Sequence, residues 1–323
     1  MDPRIEEVEL PEGGGPTVDY EVALVSLNQW QLTWRRFKKH KLAIFGAVLF
    51  FGMIILAIIA PIILPYDPQY VPSFSSPFCE GSTTLKAYSG CPPLTPGHIL
   101  GTTGSLRLDL LTLVLNGARI SLIVGIGAAV LSTILGTIVD GVAGYFGGIV
   151  DNLLMRFVDV MLSIPLLFVV IWCSKVIGNG DWRVILIVFA VLGWPGVARL
   201  VRSLFLSLRT EVFVDAARAV GVSDTRIIFR HILPNAVSPI IVSTTLAVAA
   251  FIITEAFVSF LGFGVNPSQT PTWGNILSGG LDFVAQGNWW WTFFPGIAIV
   301  ITVLGINFMG DGLRDALDPR SRE

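Results

Sequence analysis

Charge is scarce in this chain. Of its 323 residues only 14% are Asp, Glu, Lys or Arg, while 53% are hydrophobic. An ordinary soluble domain carries about 25% charged residues. Twenty-one basic and 23 acidic side chains are too few to cover a soluble fold of this length, and the apolar content is too high for a disordered chain. A polytopic membrane protein remains. The net charge of −2 provides no footprint for nucleic acid. Three cysteines, Cys79, Cys91 and Cys173, exclude a disulfide-dense secreted scaffold. The three histidines, His40, His98 and His231, are too scattered for a metal site. No Gly-Lys dipeptide occurs, so no P-loop lysine exists, and neither His-Glu-x-x-His nor Gly-x-Ser-x-Gly is present. The sequence gives no support for catalysis.

What is present reads in order along the chain. Residues 1–29 are acidic and rich in Gly and Pro (Glu6, Glu7, Glu9, Glu12, then Gly13-Gly14-Gly15-Pro16) and read as a disordered cytoplasmic tail. Residues 30–41 hold Trp30, Trp34, Arg35, Arg36, Lys38, Lys39 and Lys41, an interfacial collar with Trp at the lipid headgroups. The uncharged run 42–64 is the first transmembrane helix. At about 1.5 Å per residue it crosses a hydrocarbon core of about 30 Å. Five further spans are expected near 117–142, 153–177, 184–204, 236–263 and 293–309. Gly125, Gly127 and Gly136 offer close packing in the second. Pro165, Pro195, Pro239 and Pro295 fall within or at the start of spans, where neighbouring helices re-satisfy freed carbonyls. The expected fold is all-α, with six transmembrane helices.

The basic residues set the sidedness. With the N-terminus inside, Arg4, Arg35, Arg36, Lys38, Lys39, Lys41, Arg156, Arg199, Arg202, Arg209, Arg218, Arg226, Arg230, Arg314, Arg320 and Arg322 all fall on the cytoplasmic side. Outside are Lys86, Arg107 and Arg183, while Arg119 and Lys175 are expected at helix ends. Both termini are therefore expected to be cytoplasmic, in a cell (inner or plasma) membrane. Residues 65–111 form a long external loop containing Cys79 and Cys91, which in an oxidising compartment either pair or remain two thiols. Cys173 reads as a small buried residue within a span. A second external segment, 264–292, has no Lys or Arg and ends in Trp289-Trp290-Trp291, an interfacial anchor.

The segment 205–235 is more than a connection. Thr210 is placed to cap a helix that starts at Glu211, and Gly221 ends that helix in a left-handed conformation. Ser223 or Asp224 restarts a second helix, and Pro234 stops it. Ala216, Ala217 and Ala219 give the first helix a smooth flank. Two spans need only a few connecting residues, so this exposed helix–turn–helix reads as a docking surface.

Asp215-Ala216-Ala217, Gly221 and His231-Ile232-Leu233-Pro234 resemble the EAA motif of ABC-importer permeases, with Asp in place of the first Glu. Arg230 to Asn235 is similar to the C-type permease subunit of oligopeptide and dipeptide systems. So are Gly144-Tyr145-Phe146-Gly147-Gly148, Leu154-Met155-Arg156, Leu162-Ser163-Ile164-Pro165, Ser259-Phe260-Leu261-Gly262, Trp273-Gly274 and Gly310-Asp311-Gly312-Leu313-Arg314-Asp315. The block before the second span departs from that branch: of its usual pattern Leu100-Gly101-Thr102 and Asp109 remain. Leu277-Ser278-Gly279-Gly280 spells an ATPase signature, but it lies in an external segment of a chain without a P-loop.

The resemblance implies a type I ABC-importer permease bundle, with a five-helix core over 112–311 and a cytoplasmic tail over 312–323. Such a subunit pairs with a homologous second permease and two ABC ATPase subunits. An external solute-binding protein delivers a peptide, and membrane lipid surrounds the bundle. This chain itself is expected to bind no cofactor, since ATP and Mg belong to the partner ATPases. Glu211, Asp215, Ala216, Ala217, Arg218, Gly221, Arg230 and Pro234 become the ATPase-coupling residues. Related systems carry nickel or another small solute. An ion-driven secondary transporter would show internal repeats, and none is evident. An intramembrane enzyme would need paired catalytic groups at depth, which are also absent from the sequence.

Ionisable residues within spans must face protein or a water-filled path. Asp140, Asp159 and Glu255 are such residues. Asp159 is spaced to pair with Arg156 on its own helix. Glu255 and Asp159 are candidates for lining or gating the pathway.

Overall fold

The computed structural model describes residues 29–64, 90–104 and 108–317, and all regular structure among them is helical. The acidic tail to residue 28, the stretch 65–89 with Cys79, and residues 318–323 lie outside the described residues. The helices are α1 (Gln29–Lys39), α2 (Lys41–Ile63), α3 (Leu110–Phe146), α4 (Gly148–Ser163) and α5 (Leu166–Trp172), which runs into a π-helical turn, Cys173–Ile177. Then come α6 (Trp182–Leu208), α7 (Val212–Ala219), α8 (Asp224–Ile227) with a second π-turn, Ile228–Ile232, α9 (Leu233–Phe260), α10 (Trp273–Val284) and α11 (Trp289–Leu317).

Five helices are long and apolar enough to cross a membrane: α2, α3, α6, the continuous run Asp224–Phe260, and α11. The segment expected at 153–177 is not a straight span. It breaks between α4 and α5 with a bend of 67°, and becomes a sixth candidate only if the bent pair is one span. Pro165 stands at the break, and its ring disfavours helical geometry at Ile164. Ile164 accordingly sits at φ −79°, ψ 118°. Sulfur-bearing Cys173 lies on the π-turn beyond this bend and is partly exposed, not buried as expected.

Other helices outrun their expected ends. α3 starts at Leu110, not 117, because Asp109 caps it. Asp109 Oδ2 accepts from the Thr112 backbone N–H at 2.8 Å and from the Thr112 hydroxyl at 2.7 Å. Its Oδ1 accepts from His98 Nδ1 at 2.9 Å. Arg119 is therefore inside a helix, not at its end. Pro234 does not stop the second helix of the elbow. It occupies the first turn of α9, directly after the π-turn Ile228–Ile232, inside the continuous run Asp224–Phe260; the wider winding of the π-turn is a place where a helix tolerates the missing N–H and the ring. The elbow consequently flows straight into the following span. The segment 264–292 contains a helix of its own, α10, opened by a reciprocal Thr272–Asn275 capping box. Of the Trp triplet, Trp289 is exposed, but Trp290 is buried and its Nε1 donates to the Thr102 carbonyl at 3.1 Å.

The bundle is built on α3 against α6, α2 against α11, and α9 against both α3 and α11. Glycine permits the closest crossings. A Cβ on Gly46 of α2 would lie 2.5 Å from the Gly305 carbonyl oxygen of α11. The N-terminus of α2 is fixed by His40, whose Nδ1 accepts from the Ala43 N–H while Nε2 lies 3.5 Å from Asp315 of α11. Large apolar side chains such as Val48, Ile58, Ile62, Phe168 and Val176 remain exposed, apolar surface of the kind that a bilayer core covers.

Candidate functional site

The elbow between α6 and α9 is constructed from local rules. α6 ends at Arg209, whose N–H donates to the Phe205 carbonyl at 3.0 Å. Thr210 does not cap α7. Its hydroxyl donates backwards to the Ser207 carbonyl at 2.9 Å, and Glu211 holds the N-cap position without a side-chain bond. At the far end the Val222 N–H donates to the Ala217 carbonyl at 3.1 Å and the Gly221 N–H to the Arg218 carbonyl at 2.9 Å. This is a Schellman closure, with Gly221 at φ +76° as the sequence implies.

One face of α7 docks on its own bundle. Val214 and Ala217 join Ile227, Ile232, Ala236 and Ile240 with Val197, Val201, Phe205 and Tyr145 in a buried cluster. The expected smooth flank is thus divided: Ala217 faces in, whereas Ala216 and Ala219 face out. Glu211, Val212, Asp215 and Val220 are exposed beside them, with Val212 at 82% and Val220 at 79%. Two apolar side chains so open next to Ala216 and Ala219 leave an unpartnered apolar patch on a charged helix. Arg218 lies 3.3 Å from Asp215 on the exposed surface and places its guanidinium 5.6 Å from the Tyr145 ring centroid. Arg230 and Pro234 are exposed on the neighbouring turns.

The elbow is also tied to the end of α3. The Tyr145 hydroxyl donates to Asp224 Oδ1 at 2.5 Å. Arg209 Nη1 donates to the carbonyls of Gly144 and Tyr145 at 3.3 and 3.2 Å, a cation against the carbonyl end of a helix. Next to these, Arg202 of α6 grips Asp151 of α4 in a bidentate pair at 2.5 and 2.6 Å. The sequence reading missed these links. Arg202 and Tyr145 stood in quoted motifs, but nothing in their spacing named a partner on another helix.

Glu255 lies elsewhere, fully buried within the chain. Oε2 accepts from the Ser121 hydroxyl of α3 at 2.8 Å, and Oε1 from the Ser259 hydroxyl one turn along α9 at 2.7 Å. Those hydroxyls in turn accept from the Trp273 N–H at 3.3 Å and the Val265 N–H at 3.2 Å. Trp273 is itself buried, with Nε1 donating to the Val114 carbonyl at 3.0 Å. The carboxyl thereby joins α3 and α9 to the N-terminus of α10, where helix N–H groups favour negative charge. Ser259 at i+4 was legible beside Glu255, but Ser121 was not. Asp159 does not pair with Arg156. It accepts from Arg199 Nη2 of α6 at 3.0 Å, with both side chains more than half exposed. α4 touches α6, and that contact puts Arg199 within reach of Asp159.

No group of three or more His, Cys, Asp or Glu side chains is arranged for a metal among the described residues. Cys91 is buried, and its N–H donates to the Thr102 hydroxyl at 2.8 Å.

Comparison with known proteins gives a consistent result. Residues 136–323 match the family described as binding-protein-dependent transport system inner membrane component, and residues 28–77 match the N-terminal TM domain of oligopeptide transport permease C. The chain is 38% identical over 299 residues to the dipeptide transport system permease protein DppC of Bacillus subtilis, covering 92% of this chain and 88% of that protein. It is 37% identical over 303 residues to the oligopeptide transport system permease protein OppC of the same organism, covering 94% and 93%. OppC of Haemophilus influenzae is 36% identical over 302 residues, covering 94% and 92%. Among solved structures, a chain of the inward-facing MetNI methionine ABC transporter superposes with a TM-score of 0.50 at 22% identity, covering 64% of this chain and 96% of that one. At that identity the likeness is one of fold.

Proposed function

This chain belongs to the family of binding-protein-dependent transport system inner membrane components, and on that premise we propose that it is the peptide-conducting permease subunit of an ABC importer. Its relatives are permease subunits and not enzymes, and it is a multi-pass inner-membrane protein. The bent pair α4–α5 counts as one of six spans, with both termini cytoplasmic. A homologous second permease supplies the other half of the pathway, two ATPases carry ATP and Mg, and an external binding protein delivers the peptide. Cys79 and Cys91 pair in the external loop. α1, with Lys38 lying 5.1 Å from the Trp34 ring centroid, rests on lipid headgroups.

The observation that carries the reading is the two-faced seating of α7. Val214 and Ala217 anchor it in the bundle while Glu211, Val212, Asp215, Ala216 and Val220 stay exposed. A helix held on one side and open on the other suits a groove on one of the two ATPases. ATP binding would draw the ATPases together and move α7 with them, and the spans would switch access between two states. The direct experiment is to co-purify the complex and measure ATP hydrolysis with the binding protein loaded with dipeptides, longer peptides or nickel. Stimulation by one peptide class is the expected result. Stimulation by nickel alone replaces the substrate assignment, and absence of any co-purifying ATPase overturns the whole reading.

A further inference from the structure

Among the described residues, Asp140 of α3 is a fully buried carboxyl with neither oxygen hydrogen-bonded. An unsatisfied buried charge is costly, so its surroundings matter. Gly136, Asp140 and Gly144 recur at four-residue spacing and share one helix face. That face is pressed against α6. A Cβ on Gly136 would lie 3.0 Å from the Trp194 carbonyl oxygen and 3.2 Å from Ala198 N, and one on Gly144 would lie 2.9 Å from the Arg202 carbonyl oxygen. Asp140 therefore sits in the crossing, between the levels of Ala198 and Arg202, and the Arg202 charge acts on it. Yet the Arg202 fork is turned onto Asp151.

The two carboxyls are unequally placed to live without that arginine. Asp151 lies in the first turn of α4, where helix N–H groups stabilise a negative charge. The Arg209 charge acts on it as well. Asp140 has no such helix terminus, being six residues inside α3.

We propose that Arg202 has two ion-pair stations, Asp151 in the arrangement seen here and Asp140 in a second arrangement reached during transport. The exchange releases α4 from α6 while closing a charge inside the α3–α6 crossing. The proposal rests on the reading of the chain as a permease with two access states. It adds that one guanidinium reports which state is occupied.

The test uses the complete importer in lipid nanodiscs. Bioorthogonal spin labels at Leu153 of α4 and Ser203 of α6, both exposed, measure the separation with and without trapped nucleotide. Wild type is expected to give two distances. Asp140→Asn should hold the shorter, Asp151-paired distance in both conditions, Asp151→Asn should hold the longer, and Asp140→Glu should keep both. Import should fall about tenfold in each Asn variant, within the range of allosteric couplings. If Asp151→Asn does not assemble, the contrast between Asp140→Asn and Asp140→Glu carries the test. Wild-type distances and import in Asp140→Asn overturn the proposal but leave the permease reading intact. A wild-type complex that imports no peptide overturns the permease reading instead.

Discussion

The Tyr145 hydroxyl, at the end of α3, donates a 2.5 Å hydrogen bond to Asp224, at the start of the long helix that leads into α9. The two residues are 79 positions apart, and their bond spans the elbow that carries α7. With Arg209 bound to the Gly144 and Tyr145 carbonyls, it makes the end of α3 and the elbow move together.

Removing that hydroxyl should loosen the coupling without dismantling the fold. Tyr145→Phe keeps the ring under Arg218 and loses one bond to a charged acceptor, about 1.5–3 kcal/mol. The expected outcome is ATP hydrolysis that proceeds while peptide import falls, measured in proteoliposomes. Equal loss of both activities would show that the bond serves folding instead.

Gly221 should tolerate little. Its φ of +76° costs an L-residue roughly 1 kcal/mol or more, although a Cβ there would meet nothing within 4 Å. Asn, which enters this region most readily, should retain most transport, and Ala less. Gly221→Pro fixes φ near −65° and removes the N–H that bonds the Arg218 carbonyl. It should uncouple ATP hydrolysis from import with normal assembly. Import at the wild-type rate by that variant would sink the coupling role of the elbow.

The α2–α11 crossing should be sensitive to a single methyl group. With the Gly305 carbonyl oxygen 2.5 Å from a Cβ on Gly46, Gly46→Ala must push the helices apart. Overpacking of this kind costs about 1–3 kcal/mol. A lowered melting temperature of the detergent-solubilised complex is the readout. Gly52→Ala, at a position with open space, should leave it unchanged.

Glu255 should matter chiefly through α10. Glu255→Leu leaves Ser121 and Ser259 without their acceptor and frees the N-terminus of α10. Each buried hydroxyl left without its partner costs about 1–3 kcal/mol. Hydrogen exchange across 264–285 is expected to accelerate more than exchange in α6. Uniform acceleration along the chain would mean that the carboxyl does not single out α10.

Much of this architecture was legible because apolar length and scarce charge are written plainly in a membrane chain. Leu42–Leu64 corresponds to α2 within a residue at each end. The left-handed Gly221 followed from composition around one turn. The errors arose where a residue had two local solutions. Pro165 was read as tolerated within a span, but the residue before it left helical space. Pro234 was read as a stop, yet the π-turn before it let the helix continue through it. Asp159 had an arginine three residues away and took another across the bundle. Thr210 could cap forwards and bonded backwards. α10 was hidden because 264–292 was read only as an external segment with a Trp anchor, although the Thr272 and Asn275 capping pair was there to see. Partners such as Ser121 for Glu255 depend on which helices touch, and periodicity along one chain does not encode that.

The continuity of Asp224–Phe260 has a mechanical consequence. Its 37 residues make a shaft of about 55 Å, with Asp224 at one end and Glu255 near the other. The π-turn at Ile228–Ile232 adds a residue to the winding and so offsets the angular phase of the two ends. A twist imposed at the elbow would reach the carboxyl that holds α10, some 45 Å away, along this one helix.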